Sequence, residues 1–221
     1  MHVFGPFARF PLTAERAYNV AEALLEPYEA MKRQVGLERT VLVQASGYGN
    51  DNRAMLAALE QLGPRGRHLQ VFASAATLAA LEPVLASCAI AIVIDHMGFP
   101  DAAGGTAQPG FQAVLRLLEG GHVWVKLAGA DRASRATGRL RDAIPFTRAL
   151  AHAAPERLVW GSDWPHIGFH PRGQVRGDAV LPHRELDAGE LLDVLIEAVA
   201  DSKTLQSILV DNPARLYGFT A

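Results

Sequence analysis

The sequence holds one cysteine, Cys88, in 221 residues. That excludes an internal disulfide framework and fits a reducing compartment. Cys88 sits in an apolar run and reads as a small buried hydrophobe. No long hydrophobic run is present: the longest, Ala89–Ile94, is far too short to cross a bilayer. Residues 1 to 12 lack a basic segment leading into an unbroken apolar stretch, so no signal peptide is read and a cytoplasmic location is expected. An excess of one charge is lacking too. A formal net charge of −2 and a pI near 6.4 give no support for nucleic acid or an anionic membrane as partner. Neither Gly-x-Gly-x-x-Gly nor Gly-x-x-x-x-Gly-Lys-Ser/Thr follows any apolar segment, which takes support from dinucleotide and P-loop folds. No run of Pro, Ser or like charges marks a boundary, so residues 1–221 read as a single domain. The 49% hydrophobic content suffices for an ordinary globular core at this length.

What is present is a rhythm. Five apolar segments, Val41–Ala45, His68–Phe72, Ala89–Ile94, His122–Leu127 and Leu158–Gly161, have the near-continuous hydrophobicity of strands buried on both faces. A possible sixth is His2-Val3-Phe4. Helical patterns lie between them. Asp51 can cap a helix bearing Met55, Leu56, Leu59 and Leu62, and a second stripe runs through Leu78, Leu81, Val84 and Leu85. A third opens at Pro109 and stops at Gly120-Gly121, and a fourth covers Pro145–Ala153. Two more, near Ala188–Ala200 and Thr204–Tyr217, finish the chain. Alternating strands and helices predict a parallel sheet, closed as a barrel or open and doubly wound. Polar residues gather after the strand ends, at Ser46 and Tyr48, Asp95 and His96, Arg132, Asp163 and His166. Chemistry drawn from several strand ends is the habit of a (β/α)₈ barrel, but that fold needs eight strands and about 250 residues.

Leu158-Val-Trp-Gly-Ser-Asp-Trp-Pro-His166 is the most informative stretch. An apolar strand delivers Asp163 to the reactive end of the sheet, and Trp160 and Trp164 supply apolar walls that can desolvate a carboxylate. Asp163 is therefore a candidate general base; capping the following turn is its structural alternative.

These pieces, with His2-Val-Phe-Gly-Pro, Val43-Gln-Ala-Ser-Gly-Tyr-Gly49, Val93-Ile-Asp-His-Met-Gly98, Trp124-Val-Lys-Leu-Ala-Gly129 and Val210-Asp-Asn-Pro-Ala-Arg-Leu-Tyr217, resemble the amidohydrolase superfamily. Within it they look most like the 2-pyrone-4,6-dicarboxylate lactonases of aromatic compound degradation. The resemblance implies a TIM-barrel-like (β/α) fold and hydrolysis of a carboxylated lactone with no metal or other cofactor. It implies Asp163 as the base toward water, with His96 and His2 on the lactone carbonyl. Ser46, Tyr48, Tyr18 and Arg132 would lie along the substrate carboxylates, and His166 beside Asp163.

Two departures accompany it. The family's first strand opens with His-x-His, whereas this sequence reads Met1-His2. Between Leu62-Gly-Pro-Arg-Gly-Arg67 and His68 the family carries two further βα units with an arginine pair, so an incomplete barrel of about six units is expected. Missing strands expose sheet edges, which predicts marginal stability or a homo-oligomer that covers them. Turnover is expected to be slow or absent. Three other features weigh against individual assignments. His2 is terminal, Arg132 shares a polar loop with Arg135 and Arg139, and Ser46-Gly-Tyr-Gly can simply build a turn. Two alternatives stay open: a zinc- or manganese-dependent hydrolase or decarboxylase, and a non-catalytic relative that binds dicarboxylates.

Overall fold

The computed structural model describes all residues except 15, 17, 39–42, 44, 49, 50, 52, 55, 56, 59–67, 89, 90, 136–139, 168–179, 181, 220 and 221. They form two compact units, Met1–Pro64 with Asp163–Ala188, and Arg65–Ser162 with Gly189–Ala221. Among the described residues no helix is long and apolar enough to cross a membrane.

The first unit packs Phe4, Phe10, Tyr18, Val20 and Tyr48 into one apolar cluster. His2-Val3-Phe4, read as a candidate strand, forms no named strand and is bonded on several sides. Phe4 bridges Ala23 in antiparallel fashion, the His2 N–H donates to Trp164 O, and Met1 O accepts from the Val43 N–H. Helix α1, Leu25–Gln34, has no counterpart in the sequence reading. Its only buried side chain is Tyr28, so no apolar period announces it. Three of the five residues of the strand expected at Val41–Ala45, and all four of Met55, Leu56, Leu59 and Leu62 in the helix expected after Asp51, lie outside the described residues. So does the expected deletion point at 62–67.

Among its described residues the second unit holds four parallel strands, β1 Leu69–Val71, β2 Ile92–Ile94, β3 Val123–Leu127 and β4 Leu158–Trp160. They lie side by side in chain order, Val71 opposite Ile94, Ile94 opposite Val125 and Val125 opposite Leu158. Sequential order is the winding of a barrel wall. A doubly wound sheet reverses its order at a switch point, and these four strands show no reversal.

Alternation along the strands separates two cores. Ile92, Ile94, Val123, Val125 and Leu158 join the helix-side cluster with Leu78 of α2 (Ala75–Ala86), Phe111 and Leu118 of α3 (Pro109–Glu119), and Phe146 and Leu150 of α5 (Ile144–Ala153). Leu195 of α6 (Ala188–Ala198) completes it. Between α3 and α5 lies the short helix α4, Ala130–Ala133, where an irregular loop is expected from the sequence. On the opposite face Val93, Trp124 and Val159 pack with Leu216 and Tyr217. Helix α2 departs from its expected stripe: Leu78 and Leu85 are buried, whereas Leu81 and Val84 are exposed.

The single final helix expected from Thr204 to Tyr217 is three pieces, α7 Ser202–Gln206, a π-helical turn Ser207–Asp211, and α8 Asn212–Tyr217. The buried Asn212 amide fastens them to the sheet by donating to Pro155 O at 2.7 Å and Leu158 O at 2.8 Å. Arg215 adds a hydrogen bond to Glu156 O and sets its guanidinium 5.0 Å from the Trp124 ring centroid. Asn212→Ala removes a buried donor from two carbonyls, and a loss of about 1–3 kcal/mol is expected. A urea unfolding midpoint equal to wild type would show that the amide is not the fastening.

Candidate active site

Lys126 lies inside β3, a strand otherwise made of Val, Trp, Val and Leu. Its ammonium pairs with the Asp95 carboxylate just beyond β2, with side chains 13% and 6% exposed. Gln70 of β1 donates its amide to both Asp95 oxygens, at 2.9 and 2.8 Å. After β4, Gly161 leaves room for the lysine stem, because a Cβ there would lie 3.2 Å from Lys126 Cδ. Burial alone would push the Asp95 carboxyl up. Lys126, the neighbouring His96 and the hydrogen bonds from Lys126 and Gln70 outweigh it and hold Asp95 below the ordinary carboxylate range. Sequence reasoning does not find Lys126 or Gln70. The available signal is a lysine inside an apolar strand, a charge that requires a buried partner.

Asp95 leads directly into the turn His96–Gly98, where His96 is buried. His96, Met97 and Phe99 have φ values of 51°, 56° and 58°. The left-handed region costs roughly 1–2 kcal/mol per residue for most side chains, and His tolerates it better than Met or Phe. The turn is therefore imposed by its surroundings. Gly129, at φ 70°, opens α4 against the imidazole: a Cβ there would lie 2.8 Å from His96 Nδ1. Arg132 lies on α4, half-buried. Arg135 is committed elsewhere, with a two-pronged pair to Asp101 at 2.9 and 2.6 Å. Arg139 lies outside the described residues.

The first unit carries Asp163, His166, His2, Tyr18, Ser46 and Tyr48. Asp163 and His166 are buried at φ 57° and 61°, and the His166 N–H closes the turn on Asp163 O at 3.0 Å. His2 Nε2 lies 3.8 Å from Asp163 Oδ1. Its Nδ1 sits 3.1 Å from Val43 O, and a carbonyl only accepts, so Nδ1 carries the hydrogen. In the neutral ring Nε2 is then an acceptor facing a carboxylate; only the imidazolium offers that carboxylate, or a substrate, a proton at Nε2. Tyr48 is buried against Phe4 and its hydroxyl accepts from the Gly5 N–H at 2.6 Å. Burial pushes its phenol up, so it remains neutral. Tyr18 meets Phe4 edge-on in the same cluster, and Ser46 opens the turn Ser46–Tyr48.

A catalytic zinc takes three protein ligands. His2 and Asp163 supply one imidazole nitrogen and one carboxylate, since Nδ1 is spent on Val43. Among the described residues no group of three or more His, Cys, Asp or Glu side chains is gathered for a metal ion.

Comparison with known proteins adds the rest. An amidohydrolase family profile matches residues 57–219. The chain is 31% identical over 273 residues to a 4-sulfomuconolactone hydrolase of Rhizobium radiobacter, covering 99% of this chain and 88% of that protein. It is 27% identical over 280 residues to a 2-pyrone-4,6-dicarboxylate hydrolase of Comamonas testosteroni, covering 98% and 88%. In structure it is similar to a probable 2-pyrone-4,6-dicarboxylic acid hydrolase of Acinetobacter baumannii with citric acid bound. That match has a TM-score of 0.79 at 23% identity, over 99% of this chain and 97% of the other. The fold is thus TIM-barrel-like. The Rhizobium alignment runs about fifty positions longer than this chain, close to two βα units of roughly 30 residues each.

The Asp95 pairing gives a test. A carboxyl held low in the folded state stabilises the fold above its unfolded value, and that stability is lost as the pH falls through the folded value. Lys126→Met strands the carboxylate, with an expected loss of about 3–5 kcal/mol near neutrality that shrinks as the pH falls and Asp95 takes up a proton. Adding Asp95→Asn should restore part of the loss. Urea titrations across pH check both, and no recovery in the double variant would count against the pairing.

Proposed function

Because the chain belongs to the amidohydrolase family, we propose that it hydrolyses a carboxylated lactone of the 2-pyrone-4,6-dicarboxylate kind, with Asp163 activating water and no metal taking part. The observation that carries this reading is the buried Asp163 in a left-handed turn, with the His2 ring 3.8 Å away and tethered through Nδ1. A base held at one place by its backbone, in little water, suits proton abstraction from an attacking water.

Water adds to the lactone carbonyl carbon as its proton passes to the Asp163 carboxylate. The carbonyl oxygen takes up negative charge, and the His2 imidazolium donates to it from Nε2; His96 is assigned the second donation on the strength of the family resemblance. Collapse breaks the ring C–O bond, and Asp163 returns its proton to the departing oxygen. Arg132 is assigned to a substrate carboxylate, for which a guanidinium offers two parallel donors. Ser46, Tyr18 and Tyr48 are assigned to the carboxylates as well, Tyr48 as a neutral phenol with one hydrogen to give. His166 holds the Asp163 turn through its backbone. The lone cysteine suits a reducing cytoplasm. Turnover below that of the longer relatives follows from the fifty positions they have in excess, since removing oxyanion or carboxylate donors slows the chemical step.

Loss of pyrone absorbance with 2-pyrone-4,6-dicarboxylate measures the activity. Asp163→Asn should lower kcat by about 10²–10⁴-fold. Its circular dichroism should match wild type, because Asn adopts a positive φ as readily as Asp. Unchanged turnover in that variant would remove Asp163 from its role. Arg132→Met should chiefly raise KM, as loss of an interaction made equally in ground and transition states does. A fall in kcat at constant KM would assign the arginine to the transition state instead.

A further inference from the structure

Phe72, one residue beyond β1, is 64% exposed. A single exposed phenylalanine needs no explanation, but this one is built into a structure. Its ring lies 5.4 Å from that of His96 at 85° and 5.1 Å from that of Phe99 at 88°. Those two rings are themselves 5.4 Å apart at 89°. Three mutually perpendicular rings lock one another, because each quadrupole favours an edge-to-face neighbour. In register, Val71 stands beside Ile94, so Phe72 is level with Asp95, immediately before the histidine turn. His96 is 5% exposed, whereas the phenyl ring beside it is open. A fixed, solvent-facing aromatic surface thus borders the imidazole assigned to the lactone carbonyl.

We propose that Phe72 determines specificity, its open face stacking on the flat, conjugated ring of an unsaturated lactone so that planar rings are preferred to puckered ones. The proposal rests on the lactone reading of the same site. A pyrone carrying two carboxylates is an electron-poor ring, and a phenyl face is an electron-rich partner for it in an offset stack. A saturated ring presents axial hydrogens and cannot approach with that overlap. Phe99 and His96 keep the phenyl ring from turning, so the surface exists before the ligand arrives and little ordering cost falls on binding. A leucine would keep much of the apolar volume but lose the π-face.

Binding is measured apart from turnover, by calorimetry on the full chain. The probes are benzene-1,3-dicarboxylate and cis-cyclohexane-1,3-dicarboxylate, which share carboxylate spacing and differ in flatness. Wild type should favour the benzene compound by about 2- to 10-fold, the range of one aromatic pair. Phe72→Leu and Phe72→Ala should erase that preference by weakening the benzene compound alone, with wild-type circular dichroism. Equal affinities in wild type, or equal weakening of both probes in the variants, would overturn the stacking role while leaving the lactone reading in place. Binding of neither probe together with no turnover of the pyrone would remove the lactone reading, and the stacking role with it.

Discussion

A lysine inside a buried parallel strand would by itself destabilise the sheet by several kcal/mol. Lys126 is tolerated because Asp95 meets it, and that meeting draws on all four described strands. The lysine comes from β3 and the carboxylate from the end of β2. Gln70 of β1 fills both carboxylate oxygens, and Gly161 after β4 yields the space through which the lysine stem passes. A shift of one residue in any strand would turn its contributor to the other face, among the packed aliphatics. The ion pair therefore fixes register, and it does so at the ends of the strands from which the candidate catalytic groups emerge.

From that fixed end the chain leaves β2 through a strained turn. Three non-glycine residues at positive φ within His96–Phe99, and two more at Asp163 and His166, concentrate unfavourable backbone conformations beside the residues assigned to chemistry. Strain of about 1–3 kcal/mol per residue persists only where packing overdetermines it, and it holds a reacting group at one place. Asp and His are also among the side chains that tolerate such a conformation best, so their identity has a conformational reason as well as a chemical one. Met97 and Phe99 have only the first constraint and none of its relief.

The histidine near Asp163 illustrates how a single backbone acceptor selects chemistry. Val43 O claims the Nδ1 hydrogen of His2, which leaves Nε2 with two options, a lone pair in the neutral ring or a donor in the cation. The same tether holds the ring in one orientation, with Nε2 toward the carboxylate.

The alternation of apolar segments with helical stripes was enough to place β1 to β4 and helices α3, α5 and α6 within a few residues, because strand and helix periods are local properties of the chain. The boundary at Gly120 and the start at Pro109 were legible for the same reason. Strand order was not: periodicity says that strands are buried, and only their hydrogen bonding shows that they follow chain order as a barrel wall does. Helix α1 was invisible because one buried tyrosine makes no period, and the exposed Leu81 and Val84 show a stripe that its surroundings do not cover. For the site, strand-end placement drew attention to His96, Arg132, Asp163 and His166. Lys126, Gln70 and Phe72 escaped, since a partner 25 or more residues away in sequence, or an aromatic ring fixed by two others, exists only after the chain is folded. Sequence by itself determined which residues could do chemistry, through the types of side chain at strand ends. Tertiary structure alone decided which nitrogen of His2 holds the proton, which carboxylate is spent on a buried lysine and which phenyl face is left open. Those are matters of distance between residues remote in the chain, and no local pattern encodes a distance.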